Sequence, residues 1–392
     1  MEQPIYLDNA ASTRVADEVV ALMTEVMRTA WGNPSAAHPQ GAAARDHLAT
    51  ARRRLLAALG DPDGAHGDVV WTSGCTEADA LAVLGAARRR DGAVVISTVE
   101  HAAIAATAAT LDDGRPGAAP RLRTVAPGPD GRLTPAAVAA AARGAAVVAL
   151  IMVQNEIGVA QPLDELVAAI RAVAPDCHVH VDAAQALGKV PLDVASLGVG
   201  GGSRGVDSVA LAGHKLHGPK GVGALWLRAG IELAPLWAGG GQQRGLRAGT
   251  QDAPGAAGLG LAAERAVAAM PFAVPRWRSL GARVVAALAH AGVACRPLVA
   301  EADRAPHILA LACPGVPAGA LRNVLASRGV YVSTGSACAE RDAKPSAALA
   351  ALGLAADVGM VRLSFGLDTR EAEVDRAAAV LCEVLAESRG RS

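Results

Sequence analysis

Aromatic residues are nearly missing from this chain, with five tryptophans, two tyrosines and two phenylalanines among 392 residues. A stacking surface for single-stranded nucleic acid is therefore not expected, and the core has to pack with alanine, valine and leucine. Paired cysteines are missing as well. Cys75, Cys177, Cys295, Cys313, Cys338 and Cys382 lie far apart with no CxxC pair, which argues against a zinc ribbon and against a disulfide framework, so all are expected to be reduced. Charge of one sign is not in excess either. Lysine plus arginine and aspartate plus glutamate number 37 each, so no overall field recruits DNA or anionic lipid. The hydrophobic fraction is 52%, but alanine supplies much of it. The longest strongly apolar run, Ala145 to Val153, falls well short of a membrane span. The start Met1-Glu2-Gln3-Pro4 has neither the basic residues nor the apolar stretch of an export signal, and the expected location is the cytoplasm.

What is present is an alternation. Apolar, β-rich runs at Val69 to Thr72, Val94 to Ser97, Val147 to Val153, Val179 to Val181, Ser208 to Ala212 and Gly223 to Leu227 are separated by alanine-rich stretches. Of these, Glu77 to Arg90, Ala102 to Leu111, Pro135 to Arg143 and Leu163 to Val173 have the length of covering helices. This rhythm predicts an α/β architecture, a mostly parallel central sheet with helices on both faces. Ligands of such sheets bind at the carboxyl ends of the strands. After the glycine-rich segment Gly239 to Gly249 the pattern changes: helices near Pro254 to Met270 and Arg276 to Ala291, strands near His307 to Ala312 and Val361 to Ser364, and a last helix near Glu371 to Ser388. This reads as a smaller α+β domain. The expected division is 15–260 for the large domain, with 1–14 and 261–392 forming the small one; Asp112 to Pro120 and Val199 to Gly205 are expected connectors.

The most informative stretch is Gly213-His214-Lys215-Leu216-His217-Gly218-Pro219-Lys220-Gly221, which follows an expected strand. A lysine at a strand end among small residues can approach an aldehyde and form a Schiff base; an isolated lysine in such a loop is otherwise simply solvated. A phosphate-loop reading fails because Pro219 follows Gly218 and no Lys-Ser/Thr pair opens a helix. In Val179-His180-Val181-Asp182-Ala183-Ala184-Gln185, strand alternation sets His178, His180 and Asp182 on one face. That face is open to two readings. It has the residue types of a metal site, or Asp182 keeps a pyridine nitrogen protonated near a Schiff-base lysine, so that the ring accepts electrons. Ser73-Gly74-Cys75-Thr76-Glu77 joins a strand to a helix and aims free backbone N–H groups at whatever sits there, which suits a phosphate; Thr76 as an ordinary helix cap is the plain alternative. His101 after one strand, Asn155 after another, and Arg362 could each be structural. Cys338 sits among small residues in Ser333-Thr334-Gly335-Ser336-Ala337-Cys338-Ala339, which leaves its thiol accessible.

Taken together these stretches resemble the cysteine desulfurases of the NifS/IscS type, in the class V aminotransferase group of pyridoxal-phosphate (PLP) enzymes of fold type I. The resemblance runs from Tyr6-Leu7-Asp8-Asn9-Ala10-Ala11 to Arg362-Leu363-Ser364-Phe365-Gly366 and includes Gly32-Asn33-Pro34-Ser35 with His38, and Arg247-Ala248-Gly249-Thr250. It implies that Lys215 holds pyridoxal 5'-phosphate and shuttles protons, Asp182 pairs with the ring nitrogen, Gln185 bonds the phenolic oxygen, and His101 stacks on the ring. It implies further that Thr76, His214 and the Cys75 backbone bind the phosphate, with Thr250 reaching over in a homodimer. Asn155 and Arg362 match the substrate positions for L-cysteine, and Cys338 takes the sulfur as a persulfide for delivery to an acceptor protein docking near its loop.

The chain departs from the family in three places. Ala212 stands where a phosphate hydroxyl is usual, Gln242-Gln243 where His-Glu is common, and the stretch after Cys338 reads Ala-Glu-Arg-Asp-Ala-Lys. A selenocysteine lyase or other β-lyase on the same scaffold, an aminotransferase, and a non-catalytic scaffold are the competing readings. Intact Lys215, Asp182, His101 and Arg362 speak against the last, and Cys338 against an aminotransferase.

Overall fold

The computed structural model describes residues 4–112, 121–199, 204–335, 346–354 and 358–389. Cys338 and most of the two expected connectors lie outside the described residues. The chain opens with a short strand, β1 (Ile5–Tyr6), and two helices, α1 (Asp17–Thr29) and α2 (Pro39–Ala58). Neither helix is among the expected elements. α2 begins where the His38 ring accepts from the Gly41 amide and Pro39 fills the first turn, a start signal carried by a histidine where serine or aspartate is usual.

Strand and helix then alternate as far as β6, and two more strands follow: β2 (Gly67–Thr72), α3 (Cys75–Ala87), β3 (Ala93–Ser97), α4 (Ala102–Ala109), β4 (Leu122–Val125), α5 (Pro135–Ala142), β5 (Ala145–Ile151), α6 (Leu163–Val173), β6 (His178–Asp182), β7 (Ser208–Ala212) and β8 (Gly223–Arg228). Strands β2 to β8 form one sheet in the order β2-β8-β7-β6-β5-β3-β4. The run from β7 to β4 is parallel, and β8 is antiparallel to both its neighbours. Alternation within the strands loads both faces. Val95, Val148, Leu150, Val181 and Leu211 point into one core, which α2, α6 and the start of α7 (Ala253–His290) cover. Val94, Ile96, Val147, Ala149 and Ala210 point into another, covered by α3 and α4. A strand buried on both faces reads as a continuous apolar run, which is why β3, β5 and β7 stand out in the sequence. The edge strand β4, Leu-Arg-Thr-Val, does not, because its middle residues are exposed.

The smaller lobe contains β9 (Arg296–Pro297), β10 (Ile308–Pro314), α8 (Ala318–Ser327), β11 (Val330–Tyr331), α9 (Ala347–Ala351), β12 (Val358–Ser364) and α10 (Glu371–Arg389). An antiparallel β12-β10-β9 sheet forms its centre, and β1 pairs parallel with β11. Two separate helices were expected across residues 254–291, yet α7 is one helix of 38 residues with Pro271 and Pro275 inside it. Its first half, through Ala266, lies in the large core, and its second half, from Ala273, lies in a core built by the small lobe. Burial anchors both halves, and the prolines fall where the helix passes between the cores and Phe272 is exposed. Carbonyls freed by the missing N–H groups can turn to water there. The expected domain boundary after residue 260 thus lies inside a continuous helix.

Candidate active site

The carboxyl ends of β5, β6 and β7 open onto one cleft of about 540 Å³, lined by Ile151, Asp182 and Ala212 at those ends. Lys215 enters it from a single 3-10 turn, Gly213–Lys215, that follows β7 directly. The turn folds back so tightly that a Cβ on Gly213 would lie 2.7 Å from the Pro219 carbonyl oxygen. Lys215 Nζ donates to the carbonyls of Ala10 (2.7 Å) and Ala11 (2.8 Å). Burial and the Arg362 charge bring its pKa down to about 8, although Cys75, Asp182 and Asp8 oppose the change. A nucleophilic amine must be neutral. At pH 7 such a lysine presents roughly 10²-fold more free amine than an ordinary one. In the protein stripped of cofactor, imine formation between Lys215 and a simple aldehyde should therefore accelerate as the pH rises through about 8 and then level off. A rate still climbing near the ordinary lysine pKa would show that the burial effect is absent.

Opposite the lysine, the turn Ser73-Gly74 leads into α3, whose N-cap is Gly74 with no side-chain cap. Thr76 is therefore not the cap; it sits exposed in the first turn and lines the cleft beside Ser73, Ser12, His214 and Lys220. First-turn amides with no partner inside the helix, together with these hydroxyls and Lys220, make an anion-binding end. β8 approaches this turn closely, and a Cβ on Gly223 would lie 2.5 Å from the Gly74 backbone. Burial and three neighbouring lysines, Lys215 first, push the His214 pKa down to about 4, so its ring is neutral, with Nδ1 3.3 Å from Ser12 Oγ. Ala212 offers the cleft only a methyl group.

Asp182 closes the buried end. Its Oδ1 accepts from the Ala184 amide at 2.9 Å, and Cys75 Sγ lies 3.5 Å from the same oxygen. Cys75, Asp79 and Asp182 place their ligand-type atoms within 4.8 Å of one another. Burial and the two carboxylates raise the Cys75 thiol well above its ordinary pKa, and burial and Asp182 raise Asp79. Cys75 is thus held as a thiol. The face of His178 and His180, which had the residue types of a metal site, is committed elsewhere. Both rings reach Ser208 Oγ at 2.8 Å, and His180 Nε2 reaches Asp79 at 3.0 Å.

His101 caps α4, its Nδ1 accepting from the Ala103 amide at 3.1 Å, and its ring lines the cleft. Capping fixes the tautomer, since an accepting Nδ1 leaves the proton on Nε2. Asn155 and Gln185 also line the cleft, with Gln185 Nε2 donating to the Ala10 carbonyl at 2.7 Å. Arg362 is not part of the wall. It stands against it, with Nη1 donating to the Asn155 carbonyl (2.7 Å) and Nη2 to Asp8 (2.5 Å), while its buried Nε has no partner among the described residues. Thr250 is exposed and does not line the cleft of its own chain. The structure thus brings Lys215, Asp182, Gln185, His101, Asn155, Thr76, Cys75 and His214 to one cavity, sets Arg362 at its edge and leaves Thr250 apart. Cys338 lies outside the described residues.

Several contributors went unassigned in the sequence. Asp8 holds the Arg362 guanidinium, and the Ala10 and Ala11 carbonyls receive Lys215. The N-terminal segment is threaded between the lobes, with Leu7 in the small core and Ala10 in the large one. No local pattern announces such contacts; the only signal was that these residues form a motif. Gln243, one of the departures, pairs its side-chain amide with both backbone groups of Trp71 on the sheet edge.

Such a strand-end lysine across the cleft from Asp182 and the start of α3 suits a group-transfer enzyme of the aminotransferase kind. The chain belongs to the aminotransferase class-V family, whose model matches residues 5–377. Within it, the chain falls among the cysteine desulfurases of the NifS/IscS type. It is 39% identical to a cysteine desulfurase of Rhodobacter capsulatus, over 99% of this chain and 98% of that one. Among solved structures, a NifS-like protein superposes with a TM-score of 0.86 at 29% identity, covering 98% of this chain and all of the other. The protein SspA, solved in complex with cysteine, superposes with a TM-score of 0.77 at 28% identity, over 92% of this chain and 98% of its own.

Proposed function

We propose that this chain is a cysteine desulfurase that uses pyridoxal 5'-phosphate to convert L-cysteine to L-alanine and carries the sulfur as a persulfide on Cys338. The observation that carries the reading is the convergence of the Lys215 amine, the Asp182 carboxylate and the start of α3 on one cleft of about 540 Å³. The donor set matches the cofactor group by group. Lys215 would hold its aldehyde carbon, Asp182 its ring nitrogen, Gln185 its phenolic oxygen and His101 its face. Thr76, His214 and the α3 amides would hold its phosphate, with Thr250 of the partner subunit completing that end. When bound, the cofactor supplies an electron sink for the pair released on breaking the substrate Cα–H bond.

The remaining work falls to side chains. Arg362 still has N–H groups to offer beyond those given to Asp8 and Asn155, its buried Nε among them, and a carboxylate is the partner that suits a guanidinium fork. Asp8 and Asn155 orient that fork, so the substrate Cα–H is presented in one direction. Lys215, with its lowered pKa, takes the Cα proton. The Cys338 thiolate then bonds to the substrate sulfur while the C–S bond breaks, the pair stays on carbon, and a proton completes the methyl group of alanine. Cys75, although in the cleft, is kept from this role because its neighbours hold the thiol protonated.

A homodimer accounts for the position of Thr250 and for the exposed apolar side chains Val20, Met27 and Trp31 along and just past α1. A sulfur-acceptor protein docking beside the Cys338 segment completes the cycle. The reading is tested by loading the purified protein with pyridoxal 5'-phosphate and supplying L-cysteine with a thiol reductant. Alanine and sulfide should appear in equal amounts. A loaded protein that makes pyruvate, or acts only on selenocysteine, would overturn it.

A further inference from the structure

Lys215 also lines a second, small cavity of about 20 Å³, together with Lys189, His307, His217, Asn9 and Thr13 among others. Its size admits about one water molecule. Two of these side chains carry a buried atom without a hydrogen-bond partner among the described residues, Lys189 Nζ and His307 Nδ1. Buried polar atoms are rarely left so, and two on residues that line one small space call for a shared occupant. The other ring nitrogen of His307, Nε2, lies 3.2 Å from Gln185 Oε1, and Gln185 Nε2 donates to the Ala10 carbonyl that also receives Lys215.

Donor and acceptor roles along this line can be read in only one direction. A lysine amine always has an N–H to give, and burial with Lys189 nearby keeps His307 well below the ordinary histidine pKa, hence neutral with a single ring proton. We propose that Lys189 is a positioning residue: through a water in this cavity it donates to His307 Nδ1, which places the ring proton on Nε2 toward Gln185 Oε1 and so turns the Gln185 amide N–H groups toward Ala10 and the cleft. Reversing any link would set two donors or two acceptors face to face. The relay thus decides which end of Gln185 meets an oxygen in the cleft; burial and Lys215 bring the Lys189 pKa down to about 7, so below that pH it also adds a cationic group behind the catalytic amine. This rests on the cofactor reading above, because the oxygen that Gln185 would meet is the ring phenolate.

Positive charge and phenolate donors both favour loss of the proton from the Lys215 nitrogen when it holds the cofactor. That nitrogen also faces Arg362, which acts in the same sense, and Asp182, Asp8 and Cys75, which act against it, with His214 adjoining. The test is the pH titration of the visible absorption of the loaded, full-length protein. Lys189→Met should move the midpoint upward by about one unit, and Lys189→Arg, which keeps a charged donor, should restore it. His307→Gln should also raise the midpoint, and the double variant should shift no further than the larger single one, since both act on the same line. A Lys189→Met protein that titrates like the wild type, or two shifts that add, would overturn the relay. Should Lys189→Met not fold, an unchanged midpoint in His307→Gln would overturn it alone. Failure of the underlying reading looks different: the wild type itself would gain no visible band and form no alanine.

Discussion

Replacing Lys215 by alanine is expected to leave a folded protein that binds pyridoxal 5'-phosphate only non-covalently and forms alanine from cysteine at least roughly 10³-fold more slowly. The fold should survive because the side chain makes two hydrogen bonds, both to carbonyls at the cleft, Ala10 and Ala11, which water can satisfy once the amine is gone. Activity should not survive, because the proposed function gives the amine two tasks: holding the cofactor aldehyde and moving the Cα proton. Among the described residues no other lysine stands ready to replace it. Lys220 lines the same cleft, but beside the start of α3 and exposed, while Lys189 is buried and lines the small second cavity. The measurement is alanine formed per protomer under saturating cofactor. A rate above about a tenth of wild type would mean that the proton is moved by another group.

The second large effect belongs to Cys338→Ser. This protein is expected to bind cofactor and cysteine as the wild type does, yet to release no sulfide and to show no added sulfur atom by mass spectrometry, a loss of at least roughly 10³-fold. A serine hydroxyl is far less nucleophilic than a thiolate, and the other cysteines are unsuited to stand in. Cys75 is held protonated by burial and two aspartates. Burial drives Cys177 up to about 12, and Cys295 beside it, together with burial, raises Cys313; Cys295 and Cys382 pack against the small-lobe core. Undiminished sulfide release from Cys338→Ser would remove that residue from the mechanism.

Most of the layered sheet is legible in the sequence, since strands buried on both faces must be apolar throughout and the helices between them are alanine-rich. β4 escaped notice because an edge strand can be polar, and α1 and α2 because their start signals are weak. The break at Pro271 and Pro275 misled for a physical reason: local propensity says that two prolines end a helix, but burial of both flanking halves in separate cores outweighs the lost hydrogen bonds.

The candidate site divides in the same way. Residues whose role depends on a position at a strand end, Lys215 after β7 and Asp182 at the end of β6, stand out because chemistry and local structure coincide in a few neighbouring residues. Asp8 with Arg362, 354 residues apart, and Gln185 with His307, 122 apart, leave no such trace. Sequence alone determined the layered architecture and the kinds of reactive group, because both follow from side-chain periodicity and identity over short spans. Tertiary structure alone decided which groups face one another, which cysteine is held inert and how the arginine is oriented, because those depend on distances and burial that arise only when the two lobes close around the N-terminal segment.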